Sequence, residues 1–167
     1  MKEKLKKILP WILVLVGMLI IFLFSNMNTY ESNSKSEYII STIIERTNTL
    51  ANQIGVIDNK LDKEEINDLT IILNKPLRKC MHATIYLILS ILILFALSRS
   101  NKKISHPIKL TIIVCFLYAL TDEFHQIFIK GRTPQITDVL IDTLGAMIGT
   151  IIYNKVKLAK ENKKIKS

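Results

Sequence analysis

Between Tyr118 and Gly149 the chain reads YALTDEFHQIFIKGRTPQITDVLIDTLGAMIG: two apolar stretches, each carrying ionisable residues where a bilayer ordinarily excludes them. Asp122, Glu123, His125 and Gln126 close the first stretch, and Asp138 and Asp142 open the second. A charge inside a spanning helix is costly, so each such residue must be sheltered in a bundle or line a polar cavity, and a functional site is the first hypothesis. At about 100° per residue, Tyr118, Asp122, His125 and Gln126 share one face, with Glu123 on its flank. On the next helix Asp138, Asp142, Gly145 and Gly149 form one stripe, whose G-x-x-x-G end invites close approach of another helix backbone.

These two helices belong to a larger set. Residues 1–7 are basic, and Ile8 to Phe24 are 17 apolar or small residues. That resembles a signal peptide, but Ser25-Asn26-Met27 is a poor cleavage site and the run approaches spanning length. It reads as an uncleaved anchor with Pro10 in its first tolerant turn. Further spans are expected over 80–97, 108–129 and 136–153. The apolar part of the third, Leu110 to Leu120, is too short to cross alone, so it spans only if its acidic band is buried in protein.

The segment 25–79 is the one sizeable water-facing stretch. Ser34 with Glu37, and Asp62 with Glu65, have capping-box spacing. They predict a helix ending near Gly55 and a shorter one ending before Pro76. Such helices lie on the membrane surface, cover the bundle mouth, or pack their apolar faces together. The fold class expected is therefore all-α: a single domain, 1–167, of four transmembrane helices with a helical extracytoplasmic segment between spans one and two.

The net charge of +9 invites a nucleic-acid reading, but the basic residues flank hydrophobic blocks, which points to the lipid bilayer as partner and to no nucleic acid. With both termini cytoplasmic, the inner segments hold 14 Lys/Arg against two acids, and the outer segments nine against eight. That asymmetry favours a multi-pass protein of the cell membrane with its termini inside. His82, the Asp122–Gln126 band and the Asp138/Asp142 pair then all lie at one level, near the outer face. Cys80 and Cys115 lie at different depths in separate spans, which suits neither a disulfide nor a metal site.

Four separated blocks carry a family resemblance. Lys79-x-x-His82-x-x-x-Tyr86-x-x-Leu89, Tyr118-Ala-x-x-Asp122-Glu123-x-His125-Gln126, Gly131-Arg132 and Asp138-x-x-x-Asp142-x-x-Gly145-x-x-x-Gly149 stand in the order seen in the VanZ-like family, which the chain resembles over 79–153. Phe24-Ser25 is similar to the serine-containing end of that family's first helix, whereas residues 30–75 are not covered. The resemblance implies a small bacterial envelope protein that modulates susceptibility to teicoplanin-like glycopeptides.

The candidate site is thus His82, Tyr86, Asp122, Glu123, His125, Gln126, Arg132, Asp138 and Asp142, with Gly145 and Gly149 as packing residues. Three readings stay open. The polar groups form a buried network that holds the helices in register, Arg132 reaching Asp138 or Asp122. Or they build a metal-dependent hydrolase or transferase for a lipid-linked substrate, although no H-E-x-x-H, cysteine cluster or Ser-x-x-Lys matches a catalytic template or names a cofactor. Or they line an outward-facing pocket, with Tyr86 and Tyr118 near its walls, for a lipid-linked wall precursor or a glycopeptide.

Overall fold

Five helices and no strand make up the described residues, 2–26, 29–54, 61–100 and 104–166, of the computed structural model. The first, α1 (Lys2–Ser25), draws the basic leader into the helix, so Pro10 sits inside it rather than in its first turn. The flanking apolar run tolerates the lost hydrogen bond because a lipid environment offers the remaining backbone no alternative to helix. Only 22% of the apolar stretch of α1 is buried against the rest of the protein, and its outer face presents Leu9, Leu13, Val16, Ile20 and Leu23.

The amphipathic segment departs most from expectation. One helix, α2 (Thr29–Gln53), begins five residues before Ser34, so Ser34 is an internal residue and not a cap. Glu37 instead accepts from Asn74 Nδ2 at 3.0 Å. The expected stop at Gly55 lies outside the described residues. The second box is present: Asp62 accepts from the Glu65 amide at 2.8 Å and Glu65 returns the bond at 2.9 Å, opening α3 (Lys63–Arg99).

Pro76 does not end that helix. It lies inside α3, which runs unbroken from the capped start through the expected second span. A proline in a helix interior costs about 3 kcal/mol in lost bonding and clash. Packing on both sides offsets it. The first half of α3 is clasped by α2, with Ser36 bonded to Asn74 and Arg78 Nη1 donating to Asn33 Oδ1 at 2.9 Å; the second half packs on α1 and α5. At 1.5 Å per residue a helix this long extends about 55 Å, far beyond the roughly 30 Å of bilayer hydrocarbon, so α3 projects well past one face of any membrane it crosses.

α4 (Pro107–Gln126) starts on Pro107 and stops three residues short of the expected Ile129. Its exit tightens into turns with i to i+3 bonds, Phe128 to His125 and Ile129 to Gln126, and Gly131 takes a φ of 79° that a side chain would resist. α5 (Ile136–Lys166) continues well beyond the expected end at Tyr153, through the basic tail. Both cysteines are free, Cys115 buried and Cys80 exposed.

Among the described residues three helices, α1, α3 and α5, are long and apolar enough to cross a membrane. α4, only 20 residues long, carries Lys109, Asp122 and Glu123. Its acids are nevertheless buried, Asp122 5% and Glu123 8% exposed, which is the shelter a fourth crossing requires.

The most extensive contact is between α3 and α5, and the glycine stripe explains it. A Cβ built on Gly145 would sit 2.8 Å from the carbonyl carbon of Ala83, and one on Gly149 would sit 3.1 Å from that of Leu87. Backbone thus meets backbone where the G-x-x-x-G spacing predicts it. The core around this seam is Tyr86, Leu89 and Ile93 of α3, Cys115 and Ala119 of α4, Val139 and Ala146 of α5, with Val14 and Ile21 of α1 closing it.

Candidate functional site

Above the glycine seam the helices diverge around a polar cavity of about 460 Å³. α3 contributes Lys75, Arg78, Lys79 and His82; α4 contributes Glu123 and Gln126; α5 contributes Asp138, Ile141 and Asp142; and the connecting turn adds Arg132 and Gln135. The sequence-predicted His82, Glu123, Gln126, Arg132, Asp138 and Asp142 therefore line one cavity, although they come from separated blocks.

Much of the floor is cross-braced. Gln126 donates to Asp122 Oδ2 at 3.3 Å and to Glu123 Oε1 at 3.1 Å, and the backbone amide of Gln135 donates to Glu123 Oε2 at 2.8 Å. Glu123 thereby pins the α4–α5 turn to the end of α4. Lys79 pairs with Asp138 at 2.5 Å and reaches Gln135 Oε1 at 3.2 Å, tying α3 to the first turn of α5. An acid in that turn also complements the helix dipole.

Asp142 differs. It is 2% exposed, its Oδ2 stands 3.9 Å from His82 Nδ1, beyond hydrogen-bond range, and its Oδ1 has no partner among the described residues. Tyr86, fully buried one turn after His82 and within electrostatic reach of Asp122 and Asp142, also has an unpartnered hydroxyl. A buried polar atom left unbonded costs about 1–3 kcal/mol. The contacts that set the helix register supply neither atom with a partner, so registry alone does not account for the part of the site around Asp142.

Two expected members face elsewhere. His125 turns to α1, with Nε2 3.4 Å from Asn26 Oδ1 and its ring 4.8 Å from that of Phe22. The face assignment explains the correction: Gln126, not Asp122, is central on the inward face of α4, so Glu123 is drawn in and His125 is moved to the flank. Tyr118 likewise donates to the Met18 carbonyl of α1 at 2.6 Å rather than lining the cavity. Asp122 and Tyr86 lie behind the cavity wall, and Ser25, fully buried at the end of α1, approaches the Asp122 carboxylate.

Arg132 is half-buried at the mouth, where burial, with the like charge of Arg78, lowers its pKa from the ordinary value while Asp122, Glu123 and Asp138 act to raise it. With so high a starting value the guanidinium stays positive at neutral pH.

Lys75, Arg78, Lys79 and Gln135 were absent from the sequence-derived site. Lys75, Arg78, Lys79 and His82 stand at i, i+3, i+4 and i+7, one face of a helix, a signal visible only if the helix is allowed to pass Pro76. Among the described residues no three His, Cys, Asp or Glu side chains come together so as to hold a metal ion.

The family model described as VanZ/LLP1 matches residues 10–158. No curated protein and no solved structure matches the chain.

Proposed function

The chain belongs to the VanZ/LLP1 family, and from that premise we propose that it is a four-span protein of the bacterial cell membrane, termini cytoplasmic, whose polar cavity opens to the outside. By binding a component of the envelope there, a lipid-linked wall precursor or the glycopeptide itself, it modulates susceptibility to teicoplanin-like antibiotics. The observation that carries this reading is Asp142, which lines the cavity with its Oδ1 unbonded among the described residues, the unbonded Tyr86 hydroxyl lying behind the wall. Four buried side-chain atoms lack a partner among the described residues, on Ser25, Asn48, Tyr86 and Asp142, and only Asp142 lines the cavity, where a bound ligand could complete its bonding. The fourth crossing, α4, is supported by the burial of its acids, and the orientation by the lysine asymmetry of the short flanking segments. A metal-dependent hydrolase or transferase has less support, since among the described residues no three donors converge to hold the ion.

The test is the teicoplanin susceptibility of cells expressing the wild type or Asp142→Asn, with folded protein quantified in parallel. The reading expects Asp142→Asn to abolish the susceptibility change at undiminished protein level and melting temperature. Loss of folded protein together with the phenotype returns the polar groups to a structural role.

A further inference from the structure

A second, mostly apolar groove of about 150 Å³ lies beside the cavity, between the end of α1, the start of α2 and α3. Its walls are Phe24, Ile39, Met81 and Ile85, and it shares Arg78, His82 and Arg132 with the polar cavity. The two spaces thus meet at three nitrogen-bearing side chains. The acids are unevenly placed: Glu123, Asp138 and Asp142 line the cavity, whereas the groove is lined by Lys35, Arg78, His82 and Arg132 and by no carboxylate among the described residues.

Apolar walls ending in cations, and beyond them a chamber of mixed polarity, are complementary to an amphiphile with an anionic joint between its chain and its headgroup. We propose that the groove and cavity together bind one phosphate-bearing lipid, its phosphate between Arg78 and Arg132, the start of its chain along Ile39, Met81 and Ile85, and its headgroup among the cavity's carboxylates. This rests on the functional reading above and specifies its ligand class.

The geometry favours phosphate over a lone carboxylate. Arg78 is held by Asn33 Oδ1 at 2.9 Å, a neutral acceptor that orients the fork without neutralising it. Arg132 lines the same two spaces as Arg78, so the two guanidiniums border the point where groove and cavity meet. A phosphate placed between them can accept from both guanidiniums at once, the use for which arginine is better shaped than lysine. Lys79 is already paired with Asp138. The groove holds only the first part of a chain, and the remainder lies in the bilayer.

The experiment is native mass spectrometry of the full chain in detergent, titrated separately with dioleoyl phosphatidic acid, dioleoylglycerol and inorganic phosphate. Phosphatidic acid should bind at least about tenfold more tightly than either of the others, because only it engages both forks and groove. Arg78→Gln and Arg132→Gln should each weaken it by about tenfold or more, Arg78→Lys by less, and Arg99→Gln, distant from both spaces, not at all. If an arginine variant does not fold, Met81→Trp provides an independent arm: by filling the groove it should lower phosphatidic acid binding and leave inorganic phosphate binding unchanged. Equal binding of phosphatidic acid and dioleoylglycerol overturns the phosphate site. Inorganic phosphate binding as tightly as the lipid overturns the role of the groove. If phosphatidic acid fails to bind while Asp142→Asn still abolishes the susceptibility change, the ligand class is wrong and the functional reading stands. If the lipid binds and Asp142→Asn leaves susceptibility unchanged, the antibiotic reading falls.

Discussion

Gly145→Ala adds one methyl group, and the α3–α5 seam makes its effect opposite to that expected of an isolated helix. In isolation alanine is the better helix former by about 0.8–1.0 kcal/mol. In the folded protein the new Cβ would meet Ala83, its carbonyl carbon at 2.8 Å and its Cα at 2.9 Å, where ordinary contact begins at 3.4 Å. The obstacle is backbone, so no rotamer change relieves it. α5 must withdraw by more than the 0.6 Å that the carbonyl carbon alone requires, because the Ala83 carbonyl oxygen lies nearer still, and a gap of about 0.5–1 Å already forfeits a quarter to a half of a dispersion contact along the opened face. Overpacking of this kind typically costs about 1–3 kcal/mol, enough to reverse the gain in propensity. The assay is thermal unfolding in detergent, where a chain of this size shifts by about 2–4 °C per kcal/mol. Gly149→Ala should behave alike, and Ile148→Ala, on the exposed face, should change little. A Gly145→Ala melting point at or above wild type would refute the seam.

The same melting assay reads two further substitutions. Pro76→Ala restores an N–H to the interior of α3 and should raise stability by up to about 3 kcal/mol; a lower melting point means that the proline shapes the cavity's cationic wall. Glu123→Gln removes one acceptor from a carboxylate that takes bonds from Gln126 and Gln135, so it should cost about 1–3 kcal/mol, in contrast to Asp142→Asn, which breaks no hydrogen bond.

The features legible in the sequence are those for which a bilayer leaves few alternatives. Charged residues in apolar stretches announce a sheltered site, and Gly145 and Gly149 beside Asp138 and Asp142 announce the helix that must approach. The harder parts depend on tertiary packing. Pro76 carries a strong local stop signal, but packing against α2 on one side and α1 and α5 on the other keeps α3 helical through it. The same misjudged stop hid Lys75 and Arg78 from the site. His125 was misplaced because a 3.6-residue period gives the relative angles of side chains but not the absolute rotation of the helix. Only contacts such as Tyr118 with Met18 fix that rotation.

The central claim, that the cavity faces the cell exterior, has a direct test. Thr133, exposed beside Arg132 on the cavity lining, is changed to cysteine after Cys80 and Cys115 are replaced by serine and alanine. Intact cells are then treated with a membrane-impermeant maleimide, with Ser105→Cys, exposed at the opposite end of α4, as the inner control. The account predicts that Thr133→Cys is labelled in intact cells and Ser105→Cys only after permeabilisation. The reverse pattern would contradict it.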